Sequence, residues 1–131
     1  MDAQDMGNAL ERILVTEDEL ARRMAELAAE IDADYQGKEI LLVGVLKGAV
    51  MVVADLSRHL HTPLSMDWMA VSSYGAGTKS TGVVRILKDL DADVTGRDVL
   101  IVEDIIDSGL TLSWLRENLL ARGAASVEIA A

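Results

Sequence analysis

Residues 99–112 of the chain read VLIVEDIIDSGLTL, and this stretch decides the fold. It opens with four apolar residues, which predict a strand in the interior of a sheet. Two adjacent carboxylates, Glu103 and Asp104, follow at the end of that strand, and a turn through Asp107 leads into a predicted helix. Because ligands of open α/β sheets bind at the carboxyl ends of the strands, we expect a functional site here.

The turn that follows the acidic pair has the features of an anion site. A helix N-terminus presents unpaired N–H groups and a partial positive charge, and Gly109 lets the backbone approach an anion closely. Ser108 and Thr111 add hydroxyl donors, and residues 99–112 contain neither Lys nor Arg. An ordinary helix cap at Asp107 or Ser108 would explain one of these residues, but not the acidic pair as well. The stretch therefore predicts a ligand with a phosphate at one end and hydroxyls or bound magnesium at the other.

The rest of the chain alternates between strand and helix patterns. Thr16 and Glu19 have the spacing of a capping box, and they predict the start of an amphipathic helix whose apolar face includes Leu20 and Ile31. The predicted elements are helices at 16–37, 50–60 and 110–122, strands at 40–46, 65–71, 83–87, 99–102 and 126–131, and a Gly/Ser/Thr-rich loop at 72–82. This alternation predicts an α/β fold with a mostly parallel central sheet, in one domain with a leading arm at 1–15 and a core at 16–131.

Composition and charge exclude several classes of protein. The chain has 131 residues, enough for one domain, and half of them are hydrophobic, which excludes a disordered polymer. A net charge of −10 argues against nucleic-acid binding, and the absence of Cys removes disulfide and thiolate chemistry. The N-terminus lacks the pattern of a signal peptide, and no apolar run reaches the roughly 18 residues of a membrane span. We therefore expect a cytoplasmic protein without membrane or nucleic-acid partners.

Four motifs carry a resemblance to a known family. The stretch at 99–112 resembles the signature with which type I phosphoribosyltransferases bind 5-phosphoribosyl pyrophosphate (PRPP). Leu46-Lys47-Gly48 after the first strand, Ser73-Tyr74 at the start of the long loop and Ser80-Thr81-Gly82 at its end are similar to the hypoxanthine/guanine branch, in its bacterial form. The resemblance runs from about residue 14 to residue 131, and it implies the type I phosphoribosyltransferase fold.

The resemblance implies a role for each residue of the acidic segment. Glu103 and Asp104 match the pair that holds the ribose hydroxyls and, with them, Mg²⁺. Asp107 matches the catalytic residue that exchanges a proton with purine N7, and it belongs to the PRPP site as well. The loop that binds the 5′-phosphate is matched by Ser108, Gly109, Leu110 and Thr111.

Two further segments receive roles in the same way. Leu46, Lys47 and Gly48 match the pyrophosphate-binding loop, whose peptide is cis in the family without a proline. Ser73 and Tyr74 match the tip of the lid that closes over the reaction.

The implied activity is a step of purine salvage. The phosphoribosyl group of PRPP is transferred to hypoxanthine or guanine, which gives IMP or GMP and pyrophosphate, with Mg²⁺ as the cofactor. Displacement of pyrophosphate builds positive charge on the sugar and negative charge on the leaving group, which magnesium and backbone amides offset. The resemblance also implies a homodimer or homotetramer.

Members of this family normally extend beyond the segment that matches residue 131. Their C-terminal part carries a Lys that recognises the purine, an aromatic residue that stacks on it and a second magnesium-binding Asp, and none of these has a counterpart here. We therefore expect the 131-residue chain alone to bind magnesium–PRPP weakly and to form almost no nucleotide. We also expect its exposed sheet edge to favour self-association.

Other functions stay open beside this one. The same fold could serve a PRPP-binding regulator or a transferase of another base, such as xanthine or a pyrimidine, and the base-binding segment would discriminate. A phosphoacceptor signalling domain also places acidic pairs at strand ends, but it expects them after the first strand, where this chain has Leu46-Lys47-Gly48. A structural subunit that keeps the fold without chemistry would fail to bind PRPP.

Overall fold

A computed structural model describes residues 1–73 and 84–131. The helices are α1 (Ala3–Met6), α2 (Glu17–Asp34), α3 (Val50–His59) and α4 (Leu110–Ala121), with a 3₁₀ turn at Gly7–Ala9. The strands are β1 (Ile40–Val45), β2 (Leu64–Ser73), β3 (Val84–Lys88), β4 (Asp98–Val102) and β5 (Ser126–Ala130). Each helix and strand predicted between residues 16 and 131 is confirmed, with ends that differ by a few residues. Among the described residues, no helix is both long and apolar enough to cross a membrane.

The five strands form one sheet in the order β3-β2-β1-β4-β5. β1 pairs in parallel with both β2 and β4, β4 pairs in parallel with β5, and β3 pairs antiparallel with β2. All six residues of β1 are buried, as expected for a central strand that is covered on both faces. The predicted α/β fold with a mostly parallel sheet is confirmed.

Alternate residues of β1 face two separate apolar cores. Ile40 and Leu42 pack in a cluster with residues of α2 and α3, including Ile31 and Leu56. Leu41, Val43 and Val45 pack in a second cluster with Leu112, Leu115 and Leu119 of α4. Because side chains of a strand alternate between its faces, α2 and α3 cover one face of the sheet while α4 covers the other.

The glycine in the middle of β1 is explained by its neighbour in β2. Gly44 pairs with Trp68, and a Cβ atom on Gly44 would lie 2.5 Å from Cζ3 of the Trp68 ring and 3.0 Å from a methyl group of Val53. The indole ring therefore occupies the space that any other residue at position 44 would need.

The N-terminal part departs from the prediction in two respects. The leading arm contains α1, in which Asp2 and Asp5 form a reciprocal capping box that the sequence analysis overlooked. Thr16 caps α2 as predicted, since its hydroxyl accepts the backbone N–H of Glu19 at 3.1 Å. Leu20, however, is 58% exposed and does not belong to the core, because the packed face of α2 begins one turn later.

A buried carboxylate holds the turn between β3 and β4. Asp67 of β2 is 6% exposed, and it is the buried charged residue of the described part of the chain. Its Oδ2 accepts the backbone N–H groups of Asp91 at 3.0 Å and Ala92 at 2.8 Å, and its Oδ1 accepts that of Trp68 at 2.8 Å. These bonds compensate for the loss of hydration, so the carboxylate fixes the connection that leads into β4.

We predict that Asp67→Ala destabilises the fold, because it leaves partly buried backbone N–H groups without their acceptor. The expected loss is about 1–3 kcal/mol in the free energy of unfolding, measured by urea titration. Asp91→Ala is the matched control, since the exposed Asp91 carboxylate lies 4.0 Å from Lys88 and contributes little. Equal, small losses in both variants would show that Asp67 does not hold this turn.

Candidate active site

The predicted site residues meet where β1 and β4 end. These strands are parallel neighbours with Gly44 opposite Val102, so the loops that follow them leave the sheet side by side. The backbone N–H of Glu103 donates to the Ala130 carbonyl at 3.0 Å, which holds the start of the acidic segment against the end of β5. A Cβ atom on Gly48 would lie 2.7 Å from Oδ2 of Asp104, so the two loops are in direct contact.

A cleft of about 360 Å³ opens beside the acidic segment. Residues 103–107, Gly109 and Thr111 line it, and Val45, Val71 and Leu112 form its apolar floor. A groove of about 440 Å³ between α2 and β5 is larger, but it contains none of the predicted site residues. We therefore assign the candidate site to the smaller cleft, because the chemistry predicted from the sequence lies there.

The acidic pair is electrostatically coupled. Burial raises the pKa of the half-buried Glu103 to about 7, and the hydrogen bond with the Asp104 side chain and the negative charges of Asp104 and Asp107 act in the same direction. The backbone N–H of Asp104, which donates to Oε1 of Glu103 at 3.1 Å, opposes this shift. The pKa of the exposed Asp104 is lowered, first by the hydrogen bond from the Glu103 side chain and then by the Ile105 N–H, which donates to Oδ1 at 2.9 Å. The pKa of Glu103 is thus raised while that of Asp104 is lowered. The two carboxyl groups therefore behave as a coupled pair, in which Glu103 keeps a proton up to a pH of about 7 and Asp104 is ionised.

The turn into α4 leaves the helix N-terminus open. Gly109 is the N-cap residue, with φ of 77°, and no side chain caps this helix. Asp107 Oδ1 accepts the N–H of Ser108 at 2.6 Å, inside the turn, and Ser108 Oγ accepts the N–H of Leu110 at 3.4 Å, so neither polar residue is the N-cap residue. Glycine tolerates this left-handed conformation, and its choice as N-cap keeps amide groups of the first turn available to an anion.

The loop after β1 begins with an exposed cation. The peptide bond between Leu46 and Lys47 is cis, as the resemblance implied, and Lys47 and Gly48 are exposed. The N–H of Leu46 donates to the Met69 carbonyl at 2.8 Å, so the loop is anchored to β2 as well. β2 continues beyond this point and ends with Ser73 at the same edge of the sheet.

Part of the predicted site cannot be placed. Tyr74 and the Ser80-Thr81-Gly82 motif lie outside the described residues, and for Ser73 only its position at the end of β2 is described. The predicted lid tip therefore stays a prediction.

Two apolar residues of the site were overlooked in the sequence. Ile105 is 75% exposed and Ile106 is 48% exposed, and both line the cleft between the acidic pair and Asp107. The sequence does contain a signal for them, because two β-branched residues stand side by side in a loop, where they cannot pack into the core. Large apolar side chains that are exposed in this way often belong to a contact surface.

The carboxylates of this site could bind a magnesium ion together with a phosphorylated ligand, but they are too few to coordinate the ion alone. Among the described residues, no three Asp, Glu, His or Cys side chains cluster in a way that could hold a metal. Mg²⁺ is commonly bound by one or two carboxylates together with oxygen atoms of a phosphorylated substrate. The adjacent oxygen ligands of Glu103 and Asp104 fit that arrangement.

Comparison with known proteins defines the class. The family model of the phosphoribosyl transferase domain matches residues 13–131, and the chain belongs to this family. A hypoxanthine-guanine phosphoribosyltransferase of Mycobacterium tuberculosis is 52% identical over 126 residues, which cover 92% of this chain and 62% of the relative. One of Bacillus subtilis is 52% identical over 124 residues, which cover 95% of this chain and 69% of the relative. The chain thus spans somewhat less than two thirds of the length of its mycobacterial relatives.

Solved structures agree with the family. The crystal structure of a hypoxanthine phosphoribosyltransferase from Staphylococcus aureus superimposes with a TM-score of 0.92 at 44% identity, covering 99% of this chain and 71% of that one. The type I phosphoribosyltransferase fold expected from the motifs is therefore confirmed. Membership of this family also removes the phosphoacceptor domain from the alternatives.

We predict that Glu103→Gln stabilises the folded chain above pH 7. The pKa of Glu103 is raised from an ordinary value of 4.5 to about 7, so the folded state binds an extra proton between these values. Ionisation of Glu103 therefore costs stability progressively as the pH rises through this window. In thermal unfolding, the variant should have a higher Tm than the unsubstituted chain at pH 8 and an equal Tm at pH 4.

Glu117→Gln is the matched control, since Glu117 is an exposed carboxylate on α4 outside the site. Its Tm difference should stay near zero at both pH values. A Glu103→Gln difference that does not change between pH 4 and pH 8 would contradict a raised pKa for Glu103.

Proposed function

We propose that this chain is the PRPP-binding part of a hypoxanthine/guanine phosphoribosyltransferase of purine salvage. The proposed reaction transfers the phosphoribosyl group of PRPP to hypoxanthine or guanine, with release of pyrophosphate. The observation that carries this proposal is the meeting of three features at one sheet edge: the acidic pair, the uncapped start of α4 and the loop that contains Lys47 and Gly48. PRPP carries hydroxyls, a phosphate and a pyrophosphate, and each of these features suits one of them.

The 5′-phosphate is assigned to the turn at 108–111. Amide groups at the N-terminus of α4 and the positive end of its dipole favour a dianion there, and Gly109 has no side chain to obstruct it. The hydroxyls of Ser108 and Thr111 add donors; Ser108 is exposed and Thr111 lines the cleft.

The ribose hydroxyls are assigned to Glu103 and Asp104. Both residues lie between the phosphate turn and Gly48, where a sugar would be placed if its phosphates occupied the two loops. Carboxylate oxygens accept hydrogen bonds from vicinal hydroxyls, and the same two side chains would hold Mg²⁺. A bound ion would supply positive charge beside the pyrophosphate group.

The pyrophosphate is assigned to the loop of Leu46, Lys47 and Gly48. Lys47 supplies an exposed ammonium group, and α3 starts directly afterwards without a side-chain cap at Ala49. Both features favour negative charge, so this loop can offset the charge that develops on the leaving group.

The purine is assigned to the region beside Asp107. Its nitrogen forms a bond to C1′ of the ribose while the C1′–oxygen bond to pyrophosphate breaks, and the base must then lose a proton. The Asp107 carboxylate is exposed beside the cleft and can accept that proton from N7. Ile105 and Ile106 offer an apolar surface next to it, which suits the face of a planar base.

We predict that Glu103→Gln together with Asp104→Asn abolishes the magnesium-dependent stabilisation of the chain by PRPP. The double variant preserves the size of both side chains but removes the negative charge that attracts the cation. Thermal unfolding with PRPP, with and without Mg²⁺, measures the effect. Glu117→Gln together with Asp55→Asn is a control with the same charge change on exposed positions of α4 and α3. An unchanged shift in the site variant would mean that the acidic pair is structural.

We predict that Asp107→Ala lowers kcat by about 10²–10⁴, the usual effect of losing a general acid–base group. The affinity for PRPP should fall much less, because the 5′-phosphate is held mainly by amides. Nucleotide formation is assayed in the intact natural protein, alongside calorimetric titration with PRPP. A variant that keeps more than a third of the turnover would remove Asp107 from the mechanism. An unsubstituted protein that binds PRPP without forming nucleotide from any base would instead be a PRPP-binding regulator.

A further inference from the structure

Gly48 has no conformational reason to be glycine. Among the residues that the structure describes, the glycines with positive φ are Gly7, Gly37, Gly96, Gly109 and Gly123. Gly48 is not one of them, so an alanine could adopt its backbone conformation. What distinguishes position 48 is the space around it. An added Cβ would lie 2.7 Å from Oδ2 of Asp104, which is too close, and 3.0 Å from both Oδ1 and Cγ, so the carboxylate would have to shift.

The carboxylate, and not the loop, would have to yield to such a Cβ. The loop is pinned on both sides of Gly48: the N–H of Ala49 donates to the Val45 carbonyl at 3.2 Å, and that of Val50 donates to the Lys47 carbonyl at 3.2 Å. Ala49 is also completely buried. Asp104, in contrast, is exposed, and its carboxylate is held by the N–H of Ile105 at Oδ1 and by the Glu103 side chain, so it can rotate away at the cost of these two bonds.

We propose that Gly48 is a positioning residue for Asp104. The missing side chain at position 48 lets the Asp104 carboxylate lie against the loop that follows β1. This inference rests on the proposed function, in which Asp104 holds a cation and the loop holds pyrophosphate. The contact then places the cation beside the anionic leaving group, although the two loops that hold them are more than fifty residues apart in the chain.

The first test needs no ligand. In Gly48→Ala, displacement of the Asp104 carboxylate should shift the ¹H–¹⁵N resonance of the Ile105 amide, because its hydrogen-bond acceptor moves. Lys47→Ala is the matched control in the same loop, since it adds no atom near Asp104, and its Ile105 resonance should stay in place. An unmoved Ile105 amide in Gly48→Ala would overturn the inference, whatever the protein binds.

The second test measures magnesium-dependent PRPP affinity by calorimetry. Gly48→Ala should weaken it about 2- to 150-fold, the range of coupling between residues in contact, with little change in Tm because Asp104 is exposed. Weaker binding without an Ile105 shift would mean that the new methyl group blocks the ligand directly, which contradicts positioning. An Ile105 shift without weaker binding would show that the position of Asp104 does not matter.

Failure of the proposed function and failure of the proposed contact give different results. If the unsubstituted chain does not bind magnesium–PRPP, the proposed function fails, while the amide resonance still decides the contact. If Gly48→Ala does not fold, the added substitution Asp104→Ala should restore folding, because it removes the group with which the methyl overlaps. A double variant that stays unfolded would contradict the proposed contact.

Discussion

The site depends on one pairing, that of β1 with β4 at the centre of the sheet. Their parallel register places Gly44 opposite Val102, so both strands end at the same height. The acidic pair and the loop of Lys47 and Gly48 therefore lie next to each other. Each segment is also anchored on its own, since the N–H of Glu103 donates to the Ala130 carbonyl and the N–H of Leu46 donates to the Met69 carbonyl. An antiparallel pairing would send the two loops to opposite edges, and neither could form the site alone.

The acidic character of the chain constrains how this site can hold an anionic ligand. The net charge is −10, and residues 99–112 contain three carboxylates and no cationic side chain. Repulsion within the acidic segment already shows in Glu103, whose pKa is raised to about 7 by burial and by the neighbouring Asp104 and Asp107. The repulsion between these carboxylates lowers the stability of the folded chain. Such a cost is typical of charged groups that serve binding and not folding.

Periodicity and motif spacing predicted the helices, the strands and the residues at the strand ends, because these depend on local patterns. Contacts between segments that are distant in the chain could not be predicted from the sequence. Nothing local indicates that Asp67 holds the β3–β4 turn, that Trp68 fills the space above Gly44, or that Gly48 touches Asp104. Local patterns also left the N-cap residue of α4 open, and it is Gly109 and not one of the polar residues before it.

The helix caps distinguish structural from functional helix ends. α2 starts away from the site with Thr16 as its cap and three acidic residues in its first turn, which satisfy the amides and the dipole internally. α3 and α4 both start at the site, with Ala49 and Gly109 as N-cap residues, no side-chain cap and no acidic residue in the first turn. In a chain with 22 Asp and Glu residues, this local absence leaves the two helix ends only weakly compensated, since Ser108 Oγ accepts the Leu110 N–H at a distance of 3.4 Å. Both ends therefore favour an additional anion, and a ligand with a phosphate at one end and a pyrophosphate at the other can supply one to each.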